Sequence, residues 1–187
     1  MAEKSFNPAP LGLMGFGLTT VLLNLINAGL LSSDALGVVL PMGLFYGGLA
    51  QVIAGLLEAK NGNTFGATAF SSYGLFWWSF VAMKFLPLLG LAPEPSAAAV
   101  GAYLLAWGFF TVLMTTATFK GAKALQVVFI TLSVLFFILA LGDLTGISGI
   151  KIIGGYEGIF CGLTAIYLAI AEILNETYSR NVLPVGK

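Results

Sequence analysis

Histidine is absent from this chain of 187 residues, cysteine occurs once, and only 9% of the residues are charged. A metal site built on imidazole or thiolate needs several such ligands, so no metal site and no cofactor is expected. The single thiol, Cys161, has no intrachain partner for a disulfide. Soluble domains carry about a quarter charged residues, so a water-soluble globule is excluded. Disorder is excluded as well, because disordered chains are polar and charge-rich. Eight basic and eight acidic residues cancel, which gives nucleic acid nothing to bind. What is abundant is apolar: 58% of the residues are hydrophobic and the mean hydropathy is +0.98. The composition therefore predicts an all-α integral membrane protein. A helical span takes about 20 apolar residues, and six such spans use most of the chain as one membrane domain, residues 1–187.

The spans are predicted at about residues 11–31, 36–58, 64–89, 97–119, 124–144 and 154–174. Asn7-Pro8 precedes the first, with Asn7 as a candidate cap and the prolines in the first turn. The start, MAEKSFNPAP, lacks the basic-then-apolar pattern of a cleaved leader, so the first span is expected to persist. A Gly-rich loop is expected before the last span. Lys4, Lys60, Lys120, Lys123, Arg180 and Lys187 fall on one side, and Lys84 and Lys151 on the other. This bias places both termini in the cytoplasm. An even number of spans satisfies it.

Polar residues inside the spans are costly, so their alignment is informative. Phe16, Thr20, Asn24 and Asn27 share one face of the first helix at spacings of four, four and three. Gly43, Gly47, Gln51, Gly55 and Glu58 share a face of the second, and Thr64, Thr68, Ser71 and Ser72 lie near Tyr73 in the third. Gly158, Gly162, Ala165, Ala169, Glu172 and Glu176 make a stripe on the last. The glycines either pack helices closely or widen a path. The amides and hydroxyls either bond neighbouring helices or line a route for a small polar solute. Glu58 and Glu172 near their helix ends are either interfacial carboxylates or protonatable groups at a mouth. Lys84 is either a snorkelling side chain or an anion attractor at the opposite mouth. Asp34, Glu94 and Asp143 read as solvated loop charges. Trp77, Trp78 and Trp107 default to lipid-facing or packing roles.

A wider pattern runs through Asn7-Pro8-Ala9-Pro10-Leu11-Gly12-Leu13, Phe45-Tyr46-Gly47-Gly48 with Gln51, and Gly62-Asn63-Thr64-Phe65-Gly66. It continues through Tyr73-Gly74, Phe76-Trp77, Gly101-Ala102-Tyr103, Trp107-Gly108, Ala171-Glu172, Leu174-Asn175-Glu176 and Leu183-Pro184. In that order, across nearly the whole chain, these motifs resemble the acetate uptake transporter family, the succinate–acetate permeases. The resemblance implies six transmembrane helices per protomer around a central path. It implies a homo-oligomer, with a hexamer as the number, and acetate as the main solute, with succinate and other short carboxylates admitted. It implies a constriction at Phe16, Tyr73 and Leu132, and size selectivity at Leu132 and Ala165. Ile26 stands where some relatives carry a polar residue or His, so histidine-based pH sensing has no candidate.

Together these readings give a multi-pass transporter or channel in the plasma or inner membrane. Thr20, Asn24, Asn27, Gln51, Tyr73 and Thr131 are the expected substrate path, and Glu58 and Glu172 the expected proton carriers if transport is symport. Facilitated anion flow is the other mechanism. The alternative solute is a small neutral one such as urea or ammonia. An enzyme is not expected, since there is no His and no Gly-x-Ser-x-Gly elbow. Partners reduce to the solute, the lipid bilayer and further copies of the chain.

Overall fold

The computed structural model describes residues 6–186. Lys4 and Lys187, two of the basic residues counted above, lie outside the described residues. The described residues form helices α1 (Ala9–Asn27), α2 (Leu36–Leu44), α3 (Gln51–Lys60), α4 (Thr64–Phe85), α5 (Ala97–Thr118), α6 (Lys123–Thr145) and α7 (Ser148–Thr177), with no strand among them. A π turn over Phe45–Ala50 joins α2 to α3 without a break, so the helices make six rods. Five rods are long and apolar enough to cross a membrane on their own. The sixth, α4, is less apolar because it carries hydroxyls that are used inside the bundle. Tyr73 Oη donates to Thr111 Oγ1 of α5 at 3.0 Å, and Ser79 Oγ lies 2.6 Å from Tyr103 Oη.

Local chemistry sets the helix ends. The cap of α1 is Pro8 rather than Asn7, but the Asn7 side chain still accepts from the N–H of Ala9. Asn63 and Ser96 cap α4 and α5 by accepting from Gly66 and Ala99. α1 ends at Asn27, short of the predicted residue 31. α7 starts at Ser148, so the expected loop before residue 154 is helix instead. Only Gly146, with φ at 69°, adopts the left-handed turn that separates α6 from α7.

Around the bundle, α4 packs on α3, the α2–α3 rod on α1, α1 on α7, α7 on α6 and α6 on α5. Glycine makes these contacts close. A Cβ at Gly155 would stand 2.2 Å from the Ala28 nitrogen, and one at Gly158 would stand 2.2 Å from the Asn24 side chain. Gly43 and Gly47 of the second stripe meet Trp77 in the same way, and Gly55 meets Ser71. The stripes are thus helix-packing surfaces. Three steps of four residues drift by about 40° each on a regular helix. The wider π turn takes up part of that drift, and Gly43, Gly47, Gln51, Gly55 and Glu58 are all buried. The Leu44 carbonyl, just before the π turn, accepts from the Trp78 indole at 2.8 Å.

The ring of rods is closed between α4 and α5 by aromatic side chains. Tyr73 and Phe76 of α4 pack against Trp107, Phe110 and Tyr103 of α5. Large rings span a gap that the backbones leave open, and the cavities lie beside them. Beyond α7 the tail turns back on the bundle. Asn175 binds the backbone of Val182 and Leu183, and Gly186 and Val185 accept from the first N–H groups of α6.

Candidate functional site: two cavities and the aromatic layer between them

Two cavities enter the bundle from opposite ends. One, of about 420 Å³, lies at the end where the described residues begin and end, here the termini side. The other, of about 380 Å³, lies at the far end. Phe16 and Leu132 line both, and Tyr73 lines the termini-side cavity. The Phe16 and Tyr73 rings stand 6.2 Å apart, and all three side chains are buried in one apolar cluster. Tyr73 is further held by Phe110 and Phe129 and by its bond to Thr111. The two cavities therefore abut a single layer of aromatic and aliphatic groups.

The termini-side cavity brings together Gln51, Glu58 and Glu172. Gln51 is buried and donates to the Gly47 carbonyl at 2.6 Å. Glu58 is buried and accepts from Asn63 at 2.9 Å, while Glu172 accepts from Asn7 at 3.1 Å. Asn7 and Asn63, both from motifs quoted above, thus hold the two acids in place. No lysine or arginine is among the described residues lining this cavity.

The far cavity collects Thr20, Asn24 and Asn27 from one face of α1. Asn27 donates to Asn24 Oδ1 at 3.0 Å, and Asn24 donates to the Thr20 carbonyl at 2.9 Å. Its rim carries Lys84, Lys151 and Asp143. Lys151 pairs with Asp143, whose side chain is only 10% exposed. The expectation that Asp143 is a solvated loop charge is therefore wrong. It sits on the last turns of α6, and the early start of α7 carries Lys151 back to it. The lysine stem lies where a Cβ on Gly142 would fall, 2.7 Å from its Cγ, so a small residue makes room for the ion pair.

Other expectations differ. Thr131 lines neither cavity, and its hydroxyl bonds the Val127 and Val128 carbonyls of its own helix. Ala165 is buried in the same apolar cluster as Leu132 but lines neither cavity. Thr64 and Thr68 are exposed rather than turned toward Tyr73. Trp77 is 1% exposed and lines the far cavity, so it is not a lipid-facing residue.

Sequence reasoning missed Asp143 and Lys151 as a site pair, and it missed Trp77. Opposite charges eight residues apart, on either side of a glycine turn, are the signal that could have found the pair. It also passed over Glu157 of α7. One carboxylate oxygen of Glu157 is buried without a hydrogen-bond partner among the described residues, and the residue lines neither cavity. Burying such an oxygen unpaired costs about 1–3 kcal/mol or more. Among the described residues no cluster of His, Cys, Asp and Glu could hold a metal ion.

Comparison with known proteins places this arrangement. The chain is 55% identical over 184 residues to the succinate-acetate/proton symporter SatP of Escherichia coli (strain K12), covering 98% of this chain and 97% of that protein. It is 36% identical over 200 residues to acetate permease A of Emericella nidulans, covering 99% of this chain and 67% of that protein. The solved structure of the bacterial acetate channel SatP superimposes with a TM-score of 0.95 at 55% identity, over 98% of this chain and all of that one. With these likenesses and its apolar helices, the chain is a multi-pass membrane protein. The model of the GPR1/FUN34/yaaH family matches residues 1–187, and the chain belongs to that family.

Proposed function

We propose that this chain carries acetate and related short carboxylates, succinate among them, across the plasma or inner membrane. The observation that carries the reading is the pair of cavities meeting at Phe16 and Leu132. The relatives named for acetate and succinate share this sequence over nearly its full length. In this reading the chain is a transporter rather than an enzyme, one six-span membrane domain that assembles as a homo-oligomer, a hexamer. Both termini face the cytoplasm, since Lys60, Lys120, Lys123 and Arg180 lie at the termini end and Lys84 and Lys151 at the far end.

The division of labour follows from the lining. A carboxylate entering at the far rim meets Lys84, then the neutral donors of Thr20, Asn24 and Asn27, which hold an anion without trapping it as a buried lysine would. Phe16, Tyr73 and Leu132 form the constriction, which admits solute by size and by dewetting. Gln51 and Tyr73 receive it on the other side. Glu58 and Glu172, two acids lining one cavity, are the proton carriers if the anion moves with a proton.

The test is uptake of labelled acetate into liposomes holding the purified full chain, with an imposed pH gradient and with that gradient collapsed, at clamped voltage. Accumulation that vanishes on collapse supports proton symport. Equilibration in both conditions supports facilitated flow. No acetate or succinate entry above empty liposomes, with urea or ammonium entering instead, sinks the carboxylate reading.

A further inference from the structure

Asn63 and Asn7 stand just ahead of α4 and α1, and both line the termini-side cavity with its two acids. Asn63 Oδ1 accepts from the Gly66 N–H at 3.1 Å, and Asn63 Nδ2 donates to Glu58 Oε2 at 2.9 Å. Asn7 repeats the construction. Its Oδ1 accepts from the Ala9 N–H at 3.1 Å, and its Nδ2 donates to Glu172 Oε2 at 3.1 Å. Asp and Ser close such caps and turns about as well as Asn does. An amide differs in that it accepts from the backbone and donates elsewhere at once. The residue type at both positions therefore answers to the acid as well as to the helix start. Glycine makes room for one pair: a Cβ on Gly66 would stand 2.7 Å from Asn63 Nδ2 and 2.9 Å from Glu58 Cδ.

The backbone bond also stops the amide from turning over. A reversed Asn63 would set its NH₂ group against the Gly66 N–H, donor against donor. Glu58 Oε2 therefore always faces a donor. In a protonated carboxyl the carbonyl oxygen is a better acceptor than the hydroxyl oxygen, so this contact assigns the carbonyl role to Oε2. We infer that Asn63 is a positioning residue for proton uptake: its locked amide keeps Glu58 Oε2 as an acceptor, and the carboxyl receives its proton on Oε1. Asn7 does the same for Glu172 Oε2. The inference deepens the proposed reading of the two acids as proton carriers and rests on it. The other titratable side chain on this cavity is Tyr73, and no lysine or arginine lines it among the described residues. Of the helices packed on α3, α1 carries no charged residue and α4 carries only Lys84, which lines the far cavity.

The experiment records infrared difference spectra of the purified full chain in liposomes between acidic and alkaline buffer. Gradient-driven succinate accumulation is measured alongside. A carboxyl C=O stretch falls in wavenumber when its oxygen accepts a hydrogen bond. The expected result is a C=O band that is missing in Glu58→Gln and moves to higher wavenumber in Asn63→Ser. That substitution keeps a capping oxygen for Gly66 and removes the donor to Glu58, so loss of the cap cannot cause the shift. Asn7→Ser, read against Glu172→Gln, repeats the measurement on the second pair and carries the test if Asn63→Ser does not fold. Glu58 and Glu172 bands that stay in place in both serine variants overturn the positioning role and leave the proton carriers standing. Accumulation that survives both glutamine variants, with no band lost in either, overturns the proton-carrier reading and this inference with it.

Discussion

Among the described residues, the termini-side cavity is lined by two carboxylates and no basic side chain, whereas the far cavity is lined by two lysines and one aspartate. The cavities are of similar size and share the same aromatic and leucine layer, so charge is what separates them. The acids accept hydrogen bonds from asparagines, Glu172 from Asn7 and Glu58 from Asn63. In the far cavity Asp143 neutralises Lys151, and Lys84 supplies the net positive charge. A single path can therefore offer a carboxylate an attractive mouth at one end and titratable groups at the other. The shared layer carries no charged side chain, and in the proposed function it sorts solutes by shape.

The largest expected effect comes from removing what divides the two cavities. Leu132→Ala, and more strongly Phe16→Ala with Leu132→Ala, joins them. Succinate passage relative to acetate should rise by about tenfold or more, a change of about 1.4 kcal/mol in barrier. Unaltered size selectivity in liposome uptake would remove the constriction from this layer. Comparable in scale is loss of proton coupling at the acidic cavity. Glu58→Gln and Glu172→Gln should each abolish gradient-driven accumulation while acetate still equilibrates. Coupling that survives both changes would mean that the acids serve structure only.

A smaller effect belongs to the basic rim. Asp143→Asn releases Lys151 and raises the positive charge of the far mouth. Lys151 is 46% exposed, so the pair is weak, about 0.2–1 kcal/mol. Half-saturation for succinate entering from that side should fall by up to about fivefold, a factor set by that energy. The gain should shrink at high salt, because rim charges are screened. A salt-independent effect would point to a rearranged helix end instead. The smallest effect is the control. Thr131→Val should leave acetate kinetics unchanged, because its hydroxyl is used within α6 and meets neither cavity. A clear loss of uptake would bring Thr131 back to the path.

Much of this was legible because hydrophobic length and helical spacing are local properties. The face of Phe16, Thr20, Asn24 and Asn27 follows from 3.6 residues per turn, and all four line the far cavity. The stripe from Gly43 to Glu58 is buried as its spacing implies. What stayed hidden depends on contacts between distant residues. Trp77 and Trp78 are adjacent and identical in type, yet one lines a cavity and the other closes a carbonyl at the π turn. Periodicity could not assign those roles, since the neighbours lie on other helices. Thr131 and Thr20 were alike as hydroxyls in spans, and only the packing of α6 against α7 and of α1 beside the cavity separates them. Asp143 was misread because the start of α7 was placed after Lys151 rather than before it.

The sequence by itself determined that this is a helical membrane protein without imidazole or paired-thiol chemistry, with polar faces on particular helices. Composition and periodicity are sufficient for that, because lipid forces every backbone polar group into helices in an α-rich chain. Tertiary structure alone decided which polar faces meet. It set Glu58 and Glu172 on one cavity and tied Lys151 to Asp143 on the other. The physical reason is that a cavity is a property of gaps between helices. Those gaps are fixed by where glycines let backbones approach and where aromatic rings hold them apart.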